Sequence, residues 1–195
     1  ERKQAEEKIE ALAFFDQLTG LPNRTLLLDR LKQAKRSSAR SGNYCALLFL
    51  DLDNFKTLND TLGHAAADLL LKQVAQRLLS CVREGDTVAR LGGDEFVVIL
   101  SGLSSNEREA ANGTETVAEK ILATLNQIYQ LGDVGHHSTA SIGATLFNGT
   151  RTPIDELMKQ SHLSMYKAKS AGRNRFRFFD PAMEIAAKER AALEG

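Results

Sequence analysis

Arg90 to Phe96 reads Arg-Leu-Gly-Gly-Asp-Glu-Phe and lies between two apolar runs. Val88 to Leu91 and Phe96 to Leu100 have the length and composition of short strands. Gly92-Gly93 is a preferred two-residue hairpin connection where positive φ is required. The glycines also take both Cβ atoms away from the tip, so a ligand can approach the backbone while Asp94 and Glu95 present acids to it. Such a tip suits a phosphate ester and its metal; an ordinary hairpin with solvated acids is the plain alternative.

A second acidic cluster, Asp51-Leu52-Asp53-Asn54-Phe55-Lys56, follows the apolar run Ala46-Leu47-Leu48-Phe49-Leu50. Without polar alternation, that run reads as a strand buried on both faces, and period two puts Asp51 and Asp53 on one side of it. Acids at the end of a buried strand are costly unless paired or metal-bound. A calcium loop of the EF-hand type does not fit, because Phe55 stands where an oxygen ligand belongs and Lys56 where the glycine belongs.

Around these clusters the pattern alternates irregularly between helix and strand. A charged helix over Glu1 to Phe14 carries Ala5, Ile9 and Leu12 on one stripe. Another begins near Pro22 with Leu26, Leu27, Leu31 and Ala34 inward and ends before the Ser-rich turn at Ser37 to Gly42. A third spans roughly Ala65 to Val82. A fourth opens at Asn106, with Glu109 as its reciprocal capping partner, and runs to about Tyr129. The last starts at Thr152-Pro153, with Asp155 capping, and stops at Gly172. Strands are expected near Tyr44 to Leu50, Val88 to Leu91, Phe96 to Leu100, Ser138 to Leu146 and Arg175 to Phe179. This order predicts an α+β layer rather than an alternating parallel sheet.

Bulk properties narrow the function classes. At 195 residues, 43% hydrophobic and 26% charged, the chain fits one globular domain with extra segments at its ends. Lys plus Arg and Asp plus Glu both number 25, so no overall charge favours a nucleic-acid polymer, and a phosphate site has to be local. No stretch reaches the apolar length of a membrane span and the start is charged, so a cytoplasmic location is expected. Cys45 and Cys81 sit in apolar surroundings and predict buried free thiols in a reducing compartment. His136-His137 lacks partners at zinc spacing and reads as loop.

Taken together, the clusters resemble the GGDEF domain of bacterial diguanylate cyclases, which join two GTP into cyclic di-GMP. The ordered matches are Asp16-Gln17-Leu18-Thr19-Gly20-Leu21-Pro22-Asn23-Arg24, Phe49 to Lys56, Asn59-Asp60 with Gly63-His64 and Asp68, and Gly92 to Phe96. They continue through Ser141-Ile142-Gly143 and Tyr166-Lys167-Ala168-Lys169 to Gly172-Arg173-Asn174-Arg175, covering nearly the whole chain. The resemblance implies a mainly antiparallel five-stranded central sheet flanked by helices, similar to nucleotidyl cyclase and polymerase palm domains. It divides the chain into a signalling or linker helix (1–14), the GGDEF domain (15–180) and the start of a linker toward an EAL phosphodiesterase domain (181–195). An upstream sensor and catalysis by a homodimer are further implications.

Forming a 3′,5′ phosphodiester needs a ribose 3′-oxygen to attack an α-phosphorus as pyrophosphate leaves, a reaction suited to two Mg2+ ions, with Mn2+ as an alternative. By resemblance, Asp51, the Leu52 carbonyl, Asp94 and Glu95 are the metal ligands, and Asp94 and Glu95 share proton acceptance with Lys56 nearby. There is no P-loop motif. The triphosphate is assigned instead to the Asn54 and Phe55 backbone, Gly92 and Gly93, Lys56, Lys169 and Arg173; a solvated helix end is the plain alternative for the last two. Asn59 and Asp68 match the pair that reads guanine. Arg83 and Asp86 match the R-x-x-D site that binds product and inhibits. Ala67 replaces a family glycine and is expected to crowd the base pocket slightly. Ser161-His162 replaces Ala-Asp, a change for which the sequence offers no reason. A different class of protein, a catalytically weak module that binds GTP or cyclic di-GMP and regulates an attached EAL domain, is disfavoured by the intact acids.

Overall fold

In the computed structural model, which describes residues 1–180, the apolar run becomes β1 (Cys45–Leu52), the middle of a five-stranded sheet. Its even-numbered side chains, Leu48, Leu50 and Leu52, enter one core cluster, and Cys45, Leu47 and Phe49 enter another. A strand with helices on both faces has no solvent side, which is why its sequence shows no alternation. The first cluster is closed by α4 (His64–Cys81) through Leu70, Val74 and Leu78, and by α5 (Glu107–Leu125) through Ala118 and Ile121. The second is closed by α2 (Arg24–Ser41) through Leu27 and Leu31, and by α6 (Ile154–Ser170) through Leu157 and Met165.

Strands β2 (Thr87–Gly92), β3 (Glu95–Leu100), β6 (Ala140–Phe147) and β7 (Arg175–Phe178) complete the sheet in the order β2-β3-β1-β6-β7. All neighbours are antiparallel except β6 and β7, the mainly antiparallel arrangement expected. Three elements fell outside the sequence reading: the short helix α3 (Phe55–Leu62) and the two-stranded ribbon of β4 (Tyr129–Leu131) and β5 (Val134–His136). Helix α1 (Arg2–Phe14) buries no residue. Residues 181–195, assigned above to a linker, lie outside the described residues.

Local chemistry moved several boundaries. Gly92 pairs with Glu95, so the two-residue turn is Gly93-Asp94, one place later than Gly92-Gly93, and Asp94 sits on the tip. Helix α2 runs through the serines because Ser38 is buried and its hydroxyl donates to the Lys35 carbonyl while accepting from the Gly149 N–H; Leu26 is half-buried rather than a core residue. At α5 only half of the capping box forms. Asn106 accepts from the Glu109 N–H, but the Glu109 carboxylate takes the Ser104 hydroxyl instead. That helix ends at Leu125, and Tyr129 enters β4. Pro153 is the N-cap of α6, with no side-chain cap, so the Thr152 and Asp155 pairing does not form. His136 lies in β5 rather than a loop, and His137 is hydrogen-bonded to Asn126.

Gly143 on β6 explains how closely α6 approaches the sheet. A Cβ there would lie 2.1 Å from the Met165 amide nitrogen and 2.3 Å from the Ser161 carbonyl. Two of the three facing residues, Ser161 and Ser164, are correspondingly small. Ser161 is fully buried, with its hydroxyl turned back onto the Leu157 and Met158 carbonyls. His162 stacks edge-on with Phe49 and Tyr166 at 4.7 and 4.8 Å between ring centroids. The Ser161-His162 pair is therefore a packing solution for the α6–sheet contact.

Candidate active site

The C-terminal end of the central strand β1, the tip of the β2–β3 hairpin and the last turn of α6 meet at one end of the sheet. Asp51 Oδ2 is 2.8 Å from Lys169 Nζ, while Asp51 Oδ1 is buried without a hydrogen-bond partner. Across from it, burial and then the neighbouring Asp51 carboxylate push the Asp94 carboxyl well above the usual carboxylate range, with Lys169 opposing them. The Leu52 N–H approaches the Asp94 carbonyl at 3.4 Å, and Glu95 is the register partner of Asp51.

An orphaned carboxylate oxygen facing a second carboxyl that resists ionisation is a donor set that a divalent cation would satisfy. Among the described residues, no three His, Cys, Asp or Glu side chains converge as a preformed metal cluster. The residues fit a cation held by the Asp51 and Asp94 carboxylates together with backbone and substrate oxygens.

The phosphate candidates come from two directions. Asn54 takes a left-handed conformation, φ 60°, and opens α3 without a side-chain cap, leaving first-turn N–H groups for an anion. Lys56 is exposed on that turn. From the other side come Lys169, in the last turn of α6, and Arg173, exposed in the turn that follows with φ 63°.

Asn59 lies in α3 with its Oδ1 buried and unpartnered, an acceptor without a donor. Asp68 is exposed on α4, across the Gly63 junction. Ala67 is 3% exposed and belongs to the core cluster of Leu58 and Leu70, so its methyl packs inward and the expected crowding of a base pocket does not follow.

Arg83 and Asp86 lie apart from the acidic pair. Asp86 accepts from the Arg83 N–H at 3.0 Å and from the Ser101 N–H at 3.1 Å, and the Arg83 guanidinium bonds the Ser101 carbonyl. They occupy the end of the hairpin remote from Gly93. Strand β2, Thr87 to Gly92, lies between and spans roughly 17 Å at about 3.3 Å per residue.

Two residues given no role from sequence hold the tip. The Arg90 guanidinium donates to the Gly93 carbonyl at 2.8 and 3.1 Å and to Asp16 Oδ1 at 2.9 Å. Burial raises the Asp16 carboxyl, but the Thr19 hydroxyl and N–H together with Arg90 outweigh it and hold the group below its usual range. Both residues lie within the stretches quoted above; their spacing, 74 positions apart, conceals the pairing.

A family model described as "Diguanylate cyclase, GGDEF domain" matches residues 13–175. The chain belongs to the GGDEF family. It is 44% identical over 182 residues to the bifunctional diguanylate cyclase/cyclic di-GMP phosphodiesterase MucR of Pseudomonas aeruginosa, covering 93% of this chain and 26% of that protein. It is 34% identical over 183 residues to the cyclic di-GMP phosphodiesterase PdeR of Escherichia coli, covering 94% and 26% respectively. The chain thus spans about a quarter of the length of these relatives. Among solved structures, the coiled coil and GGDEF domain of DgcB from Caulobacter crescentus, in complex with c-di-GMP, superposes with a TM-score of 0.79 at 27% identity, covering 90% of this chain and 91% of that one. The fold expected from the resemblance is that of this GGDEF domain.

Proposed function

We propose that this GGDEF domain condenses two GTP into cyclic di-GMP and two pyrophosphates, with two protomers each presenting one GTP to the other. The observation that carries the reading is the constellation at the end of the central strand: Asp51 paired to Lys169, with Asp94 held opposite on an intact Gly92-Gly93-Asp94-Glu95-Phe96 hairpin. In each half-reaction the ribose 3′-oxygen bonds to the α-phosphorus of the facing GTP, the α–β bridging bond breaks, and the hydroxyl proton passes to a carboxylate.

Divalent cations, two Mg2+ or Mn2+, would supply charge neutralisation at the attacking and leaving oxygens. Asp51, the Leu52 carbonyl, Asp94 and Glu95 would hold them. Asp94 and Glu95 share the proton-accepting role. The α3 N-terminus, Gly92 and Gly93 with Lys56, and Lys169 with Arg173 bracket the triphosphate. The unpartnered Asn59 Oδ1 supports a guanine contact, since the guanine amino and N1 protons are the donors that it and Asp68 lack; adenine would leave them unpaired. Arg83 and Asp86 would retain product at the remote end of the hairpin and so inhibit. The test is incubation of the purified chain with GTP and Mg2+, followed by chromatographic separation of nucleotides. Appearance of cyclic di-GMP supports the reading, and unchanged GTP overturns it.

A second reading has one observation in its favour: a relative named a phosphodiesterase, PdeR, matches over the same length as the bifunctional MucR. On it, the domain binds GTP or cyclic di-GMP and regulates an attached EAL domain without turnover. GTP binding by titration without product formation would select it. A parent protein with an upstream sensor and a downstream EAL domain is compatible with both. Among the described residues no helix is long and apolar enough to cross a membrane.

A further inference from the structure

Asp53 follows the acidic strand end yet takes no part in the Asp51–Asp94 pair. It is 4% exposed. Its Oδ2 accepts from Thr139 Oγ1 at 2.6 Å and from the Asn174 backbone N–H at 2.9 Å, and its Oδ1 accepts from Ser141 Oγ at 2.7 Å. Its own N–H donates to the Thr139 carbonyl at 2.8 Å. A carboxylate offers about four acceptor positions, and three of them are spent on the protein.

The segment tied down on the far side is strained. Arg173 and Asn174 are consecutive non-glycine residues with φ of 63° and 47°. That backbone is unfavourable for an ordinary L-residue, less so for Asn, and persists where the surroundings over-determine it. The bond from the Asn174 N–H to the buried Asp53 acceptor is such a determinant. On the near side, Asp53 directly precedes Asn54, whose left-handed conformation starts α3. One buried carboxylate therefore joins the β1–α3 turn, the start of β6 and the turn after α6.

We infer that Asp53 is a positioning residue, which clamps the Arg173-Asn174 turn to the α3 N-terminus and so fixes the separation of the two segments that grip the triphosphate. It touches neither nucleotide nor metal. The inference rests on the GTP site proposed above. It separates the roles of two acids that the strand period places on one side: Asp51 keeps one oxygen without a protein partner, and Asp53 has its oxygens engaged by its own protein.

The experiment uses the 195-residue chain. Asp53→Ala removes every acceptor; Asp53→Asn keeps one oxygen for the Asn174 N–H and an amide that the Ser141 hydroxyl can accept from. Leaving the Asn174 N–H without its acceptor corresponds to about tenfold in an equilibrium. In Asp53→Ala the Asn174 amide is expected to exchange its hydrogen about tenfold faster and the GTP KM to rise about tenfold, with kcat changed much less. Asp53→Asn should recover most of both. Adding Arg173→Ala to Asp53→Ala should raise KM less than Arg173→Ala does in the wild-type background. Should Asp53→Ala fail to fold, Thr139→Val, which removes one partner, is expected to move KM and Asn174 exchange in the same direction by a smaller factor.

Two results overturn the clamp: unchanged Asn174 exchange in Asp53→Ala, or KM effects of Asp53→Ala and Arg173→Ala that multiply independently. An Asp53→Asn variant as impaired as Asp53→Ala also overturns it, because the charge and not the acceptor would then be needed. If Arg173→Ala alone leaves KM at the wild-type value, the proposed triphosphate site is what fails, and Asn174 exchange decides the clamp by itself.

Discussion

At the residue scale the acidic pair makes two claims that separate chemistry from stability. Glu95→Gln and Asp51→Asn are nearly isosteric, so each is expected to keep the fold and lower cyclic di-GMP formation by about 10²–10³, the usual cost of an electrostatic catalytic group. Initial rates by chromatography check this, and wild-type rates in both variants would remove them from the chemistry. Asp94 gives a pH dependence. Its folded pKa is raised by burial and by Asp51, so its contribution to stability is complete below the unfolded value of 3.8 and is lost as pH rises through the folded value. Asp94→Asn should therefore raise Tm in metal-free buffer at pH 8 by about 2–4 °C, the equivalent of roughly 1 kcal/mol in a chain of this size. The gain should disappear near pH 4, and thermal melts at both pH values decide it. Both acids were legible as site candidates in the sequence. That Asp94 occupies the tip, and that Asp53 is consumed by Thr139, Ser141 and Asn174, was not, because a one-residue turn shift and a contact 121 positions apart leave no local signal.

At the scale of elements, α6 is set by its fit to β6. Gly143→Ala would force a Cβ against the Met165 backbone nitrogen at 2.1 Å, and backbone cannot rotate away, so the helix has to shift and carry Lys169 with it. Overpacking of this sort costs about 1–3 kcal/mol. A lower midpoint in urea together with a weakened GTP affinity is expected; retention of both would mean that α6 tolerates displacement. The α3–α4 junction carries a different claim. With Asn59 and Asp68 on its two sides, binding should favour GTP over ATP clearly, and Asp68→Ala should narrow the preference. Titrations with both nucleotides measure it, and equal wild-type affinities would dissolve the base assignment. Helix α3 itself escaped the sequence reading. At eight residues, Phe55–Leu62, it is too short to show a sustained period and is stabilised by tertiary packing through Leu58 and Phe55.

On the scale of the whole molecule, the proposed regulation and assembly involve residues that lie far from the acidic pair. Arg83 and Asp86 brace the remote end of the hairpin against Ser101. Arg83→Ala is expected to relieve inhibition by added cyclic di-GMP while initial turnover stays near wild type. A product-inhibition curve at one GTP concentration tests it, and superimposable curves would reduce the pair to a structural brace. Helix α1 leaves Ile9 and Leu12 65% and 57% exposed, an apolar stripe suited to pairing two protomers, and catalysis across two protomers requires the specific activity to rise with protein concentration.

The sequence by itself determined the central strand that is buried on both faces, the hairpin with its acids and the family, because burial and local turn geometry write periodic or contiguous patterns into the chain. The tertiary structure alone decided how the oxygens of each acid are partnered. Whether a carboxylate is left with a free oxygen, as in Asp51, or has its acceptors filled, as in Asp53, depends on donors brought from β6 and the turn after α6, and such long-range partners are chosen by packing rather than by neighbours in the chain.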